Sequence, residues 1–292
     1  MRQEWYRAGE PQIMTVLEVL NAAAGFLEKQ GVESPRLNAE HLLAHVLGKE
    51  RRIELYLEFE RPLGEAERAP LRELVRRRSE GIPLQHLLGT VDFLGKIFTC
   101  DARALIPRPE TEQLVELVQS LVDKPDRSIL DVGTGSGVIA LSLALKFPSA
   151  SVSACDISPL ALELAKENAV RHGLESRVSL VQSDLLSALK GRFDMIVANL
   201  PYIPSAEIPE LSHEVRHDPL TALDGGADGL TLISQLVKGA PAALKPGGHL
   251  ALEIGLNQAP SIMKMLAENN FRDITAHPDY QKTDRFLIAR HG

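Results

Sequence analysis

A glycine-rich turn between an apolar strand and an apolar helix constrains this chain more than any other feature. It is the run Ile129-Leu130-Asp131-Val132-Gly133-Thr134-Gly135-Ser136-Gly137-Val138. In an alternating α/β chain, such a turn brings backbone close to a ligand beside a helix N-terminus. The surrounding periodicity predicts strands over 128–132, 151–155, 178–182, 193–198, 249–254, 272–276 and 285–289. Helices are predicted over 111–122, 138–146, 159–172, 230–244 and 259–269. Alternation of this kind implies a Rossmann-like α/β domain with a mostly parallel seven-stranded sheet covered on both faces. The last two strands are close enough for a hairpin, so one of them is expected to run antiparallel.

The loop also excludes ligands. A dinucleotide fingerprint needs a third glycine where Val138 stands, and no Gly-Lys-Ser/Thr ending grips a phosphate. Asp131, just before the loop, repels a pyrophosphate but suits a ligand with an ammonium group. Asp156, ending the next strand, is placed to accept from ribose hydroxyls. Asp184, after the third strand, can reach an adenine amino group. Taken singly, these are a tight turn and two common strand-end acids. At three consecutive strand ends they match an S-adenosylmethionine site, with Gly133, Thr134, Gly135, Ser136 and Gly137 at its amino-acid end.

The apolar strand 193–198 is followed by Asn199-Leu200-Pro201-Tyr202. A planar amide or exocyclic amine is a poor nucleophile because its lone pair is delocalised. Two acceptors that hold its N–H hydrogens can aim the nitrogen at a sulfonium methyl. Asn199 offers a side-chain carbonyl, and Leu200 a backbone carbonyl held extended by Pro201. Tyr202 offers a ring face to a flat group. The plainer reading is a strand-ending turn; downstream of the loop and both acids, a catalytic one is favoured.

Ahead of this core, residues 13–88 read as a small helical domain. Its helices are predicted from Thr15 to Gly31, from an Ser34-Pro35 cap to Gly48, over 50–59 and over 65–80. Residues 91–106 then read as a hairpin or extended linker around Gly95. The 292 residues carry a net charge of −7, of which −1 falls on positions 1–90. Nothing global therefore argues for a phosphate-dominated interface. No apolar run approaches the ~20 residues that span a bilayer, and Met1-Arg2-Gln3-Glu4-Trp5 opens no apolar leader. Two cysteines, Cys100 and Cys155, make neither a disulfide framework nor a zinc site, so a reducing cytoplasm is expected. His86, His213 and His217 lack metal-ligand spacing, and no metal is expected. Arg76-Arg77-Arg78, with interspersed Glu73 and Glu80, reads as a solvated face. Arg108 and Glu110 sit in a proline-bracketed turn and read as structural or gating. Asp228 reads as a helix N-cap, and Cys155 as core.

Ordering and motifs resemble class I S-adenosylmethionine methyltransferases with an Asn-x-Pro-Tyr motif, which include adenine methylases of RNA and DNA. Further segments resemble the release-factor glutamine methyltransferases, the PrmC/HemK group. They are Gly81-Ile82-Pro83-Leu84-Gln85-His86, Ile106-Pro107-Arg108-Pro109-Glu110-Thr111-Glu112, Glu214-Val215-Arg216 and Gly225-Gly226-Ala227-Asp228-Gly229-Leu230. The resemblance spans nearly the whole chain. It implies methyl transfer to the glutamine of a Gly-Gly-Gln loop in class I peptide chain release factors. By the same resemblance, Asn199, Pro201 and Tyr202 are catalytic and Asn199 to Tyr202 hold the glutamine. The cofactor would lie on Gly133 to Gly137, Asp156, Asp184, Leu185 and Asn199. Residues 1–88 would recognise substrate, 89–110 link, and 111–292 catalyse, in a monomer that binds neither nucleic acid nor membrane. Leu200 replaces the family's usual proline and Leu185 its usual aromatic. Asn-Leu-Pro-Tyr is common in RNA adenine dimethylases, which keeps an adenine N6 reading open.

Overall fold

The computed structural model describes residues 14–121, 124 and 126–292. The leader reading at residues 1–5 and the end of the 111–122 helix at Val122 lie outside the described residues. The chain divides into two compact units, Met1–Gly89 and Thr90–Gly292.

In the first unit, α1 (Val16–Lys29) starts from a capping box. The Thr15 hydroxyl accepts from the Glu18 N–H, and the Glu18 carboxylate accepts from the Thr15 N–H. Helices α2 (Pro35–Val46), α3 (Glu65–Ser79) and α4 (Leu84–Leu88) follow. Their apolar stripes bury Leu20, Leu27, Leu42, Leu43 and Leu71 in one core. Four details depart from expectation. Strand β1 (Met14–Thr15) pairs antiparallel with β2 (Pro62–Leu63), so the unit is not wholly helical. The 50–59 segment is a 3-10 helix over Arg52–Glu58, tied by Arg52 and Tyr56 to the buried Glu40 carboxylate. Ser34 does not cap α2, because its left-handed backbone (φ 48°) carries the side chain away. Asn38 instead bonds the Glu33 and Ser34 carbonyls. The arginine run is also split: Arg76 pairs with Glu73 and Glu80, whereas Arg78 is buried and donates to Asn38.

In the second unit, a hairpin of β3 (Thr90–Phe93) and β4 (Lys96–Thr99) precedes α5 (Pro109–Leu121). The alternating core follows: β5 (Ser128–Val132), α6 (Val138–Lys146), β6 (Ser151–Asp156), α7 (Pro159–Arg171), β7 (Val178–Gln182) and β8 (Phe193–Asn199). It ends with α8 (Thr231–Ala243), β9 (Leu244–Glu253), α9 (Ala259–Glu268), β10 (Phe271–Pro278) and β11 (Asp284–His291). The sheet order is β10-β11-β9-β8-β5-β6-β7, and β11 alone runs against the others. Because central strands are buried on both faces, they are almost continuously apolar. One core, including Leu114, Val115, Ile139 and Leu143, covers one face. Another, including Ile233, Leu236, Val237 and Ile262, covers the other. The strand order reverses between β5 and β8. Ligands bind at such a switch point, outside the carboxyl ends of the strands.

Candidate active site

The glycine loop leaves β5 at this switch point. Gly133 and Thr134 donate their N–H groups to the Cys155 carbonyl, which folds the loop back over the neighbouring strand. Gly133 has φ +72°, and a Cβ there would press on Leu200 at 2.8 Å. Loop and Asn-Leu-Pro-Tyr segment are thus in contact. Thr134 donates its hydroxyl to Asp131 Oδ2 at 2.6 Å, and the Ala140 N–H donates to the same oxygen at 3.1 Å. Asp131 is fully buried and its Oδ1 has no hydrogen-bond partner. Burial pushes its carboxyl up to about 7, against the two bonds to Oδ2. Ser136 is buried, and its carbonyl accepts from Asn168, which also bonds both backbone groups of Thr99. One buried side chain on α7 therefore fastens the β3–β4 hairpin to the glycine loop. Gly137 ends the loop with a left-handed residue and donates to the Thr134 carbonyl.

The acids stand at the strand ends that follow. Asp156 Oδ2 accepts from the Gly135 N–H and Oδ1 from the Ser158 N–H, both at 2.9 Å. Each oxygen keeps a further lone pair for a ligand. Asp184 is exposed after β7. Leu185 is half-buried at φ +46°, packs on the apolar cluster beneath it, and accepts from the Cys155 thiol through its carbonyl.

Asn199, Leu200, Pro201 and Tyr202 line a cleft of about 330 Å³ with Leu105, Arg108, Glu110, Glu253 and Arg285. The glycine loop, Asp156, Asp184 and Leu185 do not line this cleft, but Gly133 lies against Leu200, which does. Leu200 is itself buried. Burial pushes the Tyr202 hydroxyl up to about 12. The segment is clamped from behind: Gln258 donates from Nε2 to the Tyr202 carbonyl at 3.0 Å and to that of Gly229 at 3.3 Å. Gly225 packs on the backbone of Pro201 and Tyr202.

Several of these residues were not singled out from the sequence. Thr111 accepts from Asn199, Glu253 lines the cleft, Asn168 donates to the Ser136 carbonyl, Asp218 accepts from Arg108 and Gln258 donates to the Tyr202 carbonyl, each from across the fold. Glu253 carried a readable signal, since an acid ending the apolar run Leu250-Ala251-Leu252 mirrors Asp156 at the end of its own strand. Asp228 does not cap a helix as expected. Its Oδ1 accepts from the Leu230 N–H two residues on, and α8 begins only at Thr231. Cys155 is core, as read. Among the described residues, no cluster of three His, Cys, Asp or Glu could hold a metal, and no helix is long and apolar enough to cross a membrane.

A seven-stranded sheet in this order, with a glycine loop after its first strand and Asn-x-Pro-Tyr after its fourth, defines a class I S-adenosylmethionine-dependent methyltransferase. Two solved structures share the fold: a methyltransferase from Pyrococcus furiosus (TM-score 0.53, 20% identity, 68% of this chain and 90% of that one) and the 16S rRNA N2 G1207 methyltransferase RsmC of T. thermophilus (TM-score 0.51, 23% identity, 70% and 50%). Family models for the PrmC N-terminal domain and the methyltransferase small domain match residues 18–89 and 112–226. The release factor glutamine methyltransferase of Geobacter sulfurreducens is 42% identical over 97% of this chain and 99% of its own length. That of Deinococcus radiodurans is 43% identical over 96% and 99%. The chain belongs to the release factor glutamine methyltransferase family.

Proposed function

We propose that this protein methylates the side-chain amide nitrogen (N5) of the glutamine in the Gly-Gly-Gln loop of class I peptide chain release factors, using S-adenosylmethionine. The observation that carries this is identity above 40%, over nearly the full length of both chains, to relatives named for that activity. The residues fit the cofactor. Asp131 Oδ1, a buried acceptor without a partner, suits an ammonium group, and Asp156 keeps lone pairs for ribose hydroxyls. Gly133, Thr134, Gly135, Ser136 and Gly137 would hold the amino-acid end, Asp184 the adenine amino group, and Leu185 the ring.

When bound, the cofactor supplies an electrophilic sulfonium methyl. The chain's own residues orient the other reactant. Asn199 Oδ1 and the Leu200 carbonyl accept from the two hydrogens of the glutamine amide, and Pro201 keeps the second carbonyl extended. Tyr202 lies against the flat amide. Orientation rather than a general base accelerates this in-line displacement, and the nitrogen loses its proton after transfer. Residues 1–88 recognise the release factor, 89–110 link, and 111–292 catalyse. The enzyme works as a cytoplasmic monomer without membrane or nucleic acid, and the net charge of −7 supports the last of these.

Incubation with labelled cofactor and either a release factor or RNA tests the reading. Label on the Gly-Gly-Gln glutamine is expected. Label on RNA adenine alone, the outcome that Asn-Leu-Pro-Tyr would favour, overturns it.

A further inference from the structure

Beside Asn199 lies a buried carboxyl group that the proposed transfer does not use. Glu253 ends β9, is 2% exposed, and pairs in register with Asn199 on the parallel neighbour β8. Its Oε2 accepts from the Thr111 hydroxyl at 2.8 Å, and that hydroxyl accepts from Asn199 Nδ2 at 3.1 Å. The Asn199 amide also stands against the Glu253 carboxyl group itself.

The direction of this chain of bonds has a consequence. A hydroxyl has one hydrogen, and Thr111 gives it to Glu253 Oε2. With its hydrogen committed to Glu253, Thr111 can meet Asn199 only as an acceptor. Asn199 must then turn its NH₂ toward Thr111 and Glu253 and its Oδ1 the other way. The two ends of an amide are nearly the same size, so packing alone does not choose between them; the hydrogen-bond network does. The choice matters because a substrate amide nitrogen brings two donors. An inverted Asn199 would face it with two more.

We propose that Glu253, acting through Thr111, is a positioning residue that sets the orientation of the Asn199 amide and so presents Oδ1 to the nitrogen to be methylated. The inference rests on the glutamine reading of the cleft. It assigns a role to Thr111, which lies in the Ile106–Glu112 run, and to an acid on a strand over a hundred residues away. Burial pushes the Glu253 carboxyl up to about 7, against the Thr111 hydrogen bond, the charge of Arg285 on β11 and the Asn199 amide, while Glu110 on α5 adds to the rise.

Glu253→Gln keeps the shape but offers an NH₂ at the Thr111 end, so the chain of bonds can run backwards. Thr111→Val removes the relay and Thr111→Ser restores it. Expected are a loss of about 10²-fold or more in kcat for Glu253→Gln and Thr111→Val, the size a misplaced catalytic group produces, and recovery in Thr111→Ser. The dissociation constant for S-adenosylmethionine should change less than about threefold. The second readout needs no substrate: the ¹H–¹⁵N signals of the Asn199 side-chain amide, assigned by their loss in Asn199→Asp, should move in both impaired variants and return in Thr111→Ser. Unmoved signals, or a wild-type kcat in Glu253→Gln, overturn the proposal. Because the amide signals are read without release factor, a wild-type enzyme that fails to methylate one would sink the functional reading and leave the orientation to be judged by the spectra.

Discussion

Arg108 donates at 2.6 Å to Asp218, a carboxylate whose side chain is fully buried and whose other oxygen accepts from the Ile106 N–H. The pair ties the turn before α5 to the segment between β8 and α8, and Arg108 also lines the cleft. Burial pushes Asp218 up to about 6, with Arg108 and Ile106 pulling it down. Removing Arg108 leaves that carboxyl group buried without its partner. Arg108→Ala is expected to lower stability by about 2 kcal/mol, less than the ~3–5 of a fully buried pair, because Arg108 is one-third exposed. In Arg108→Ala/Asp218→Asn, urea unfolding should recover part of that loss; strictly additive losses would show that the two are not coupled.

Asn199 makes its own inward bonds with Nδ2, and its Oδ1 is the proposed acceptor for substrate. Asn199→Ala should therefore leave cofactor binding within about threefold by calorimetry while transfer to a release factor falls by at least ~10². An unchanged rate would remove Asn199 from the mechanism.

Gly229 sits at φ +71° against the Tyr202 backbone, and a Cβ there would overlap the Tyr202 carbonyl oxygen. A backbone carbonyl cannot swing aside as a side-chain tip can. Gly229→Ala is expected to cost at least ~1–2 kcal/mol from the left-handed backbone alone. The displaced Tyr202 should also lower kcat. Wild-type stability and rate together would show that this contact does not hold the segment.

The buried Asp131 makes stability depend on pH. Its folded-state value of about 7 lies above the ordinary 3.8, so between the two the folded protein keeps a proton that the unfolded chain releases. Its favourable share is complete below about pH 4 and is lost as pH rises to about 7, on the order of 2–4 kcal/mol. Asp131→Asn should remove that share, so its urea midpoint relative to wild type rises between pH 5 and pH 8. A constant difference between the two proteins would place Asp131 in an ordinary environment. The unpaired Oδ1 is the atom proposed to meet the cofactor's ammonium group, so saturating cofactor should shrink the difference.

The parts of the site that follow each other along the chain were legible without a structure. The period of apolar residues marks a strand or helix wherever one face is buried. Glycines mark the turn between β5 and α6, and Asp156 and Asp184 stand out as acids at apolar strand ends. Local caps were less secure. Thr15 caps α1, but Ser34 and Asp228 look equally suitable and do not cap: Ser34 has a left-handed backbone, and the Asp228 oxygen accepts from Leu230 ahead of a helix that begins only at Thr231. The 50–59 segment has a helical composition yet forms a 3-10 helix, held by bonds to Glu40 from another helix.

What the sequence determined by itself is the order of elements, the loop and the Asn-Leu-Pro-Tyr end of β8, since each depends on neighbours within a few residues. Only tertiary structure decided which distant side chains complete them. Thr111 and Glu253 are separated by 142 positions, yet one hydrogen bond joins them beside Asn199. Asn168 reaches from α7 to both Thr99 and Ser136. Such polar contacts leave no period in the chain. They exist because β9 pairs beside β8 and α5 and α7 cover the sheet, and because a buried polar atom without a partner is costly enough to select the one geometry that supplies it.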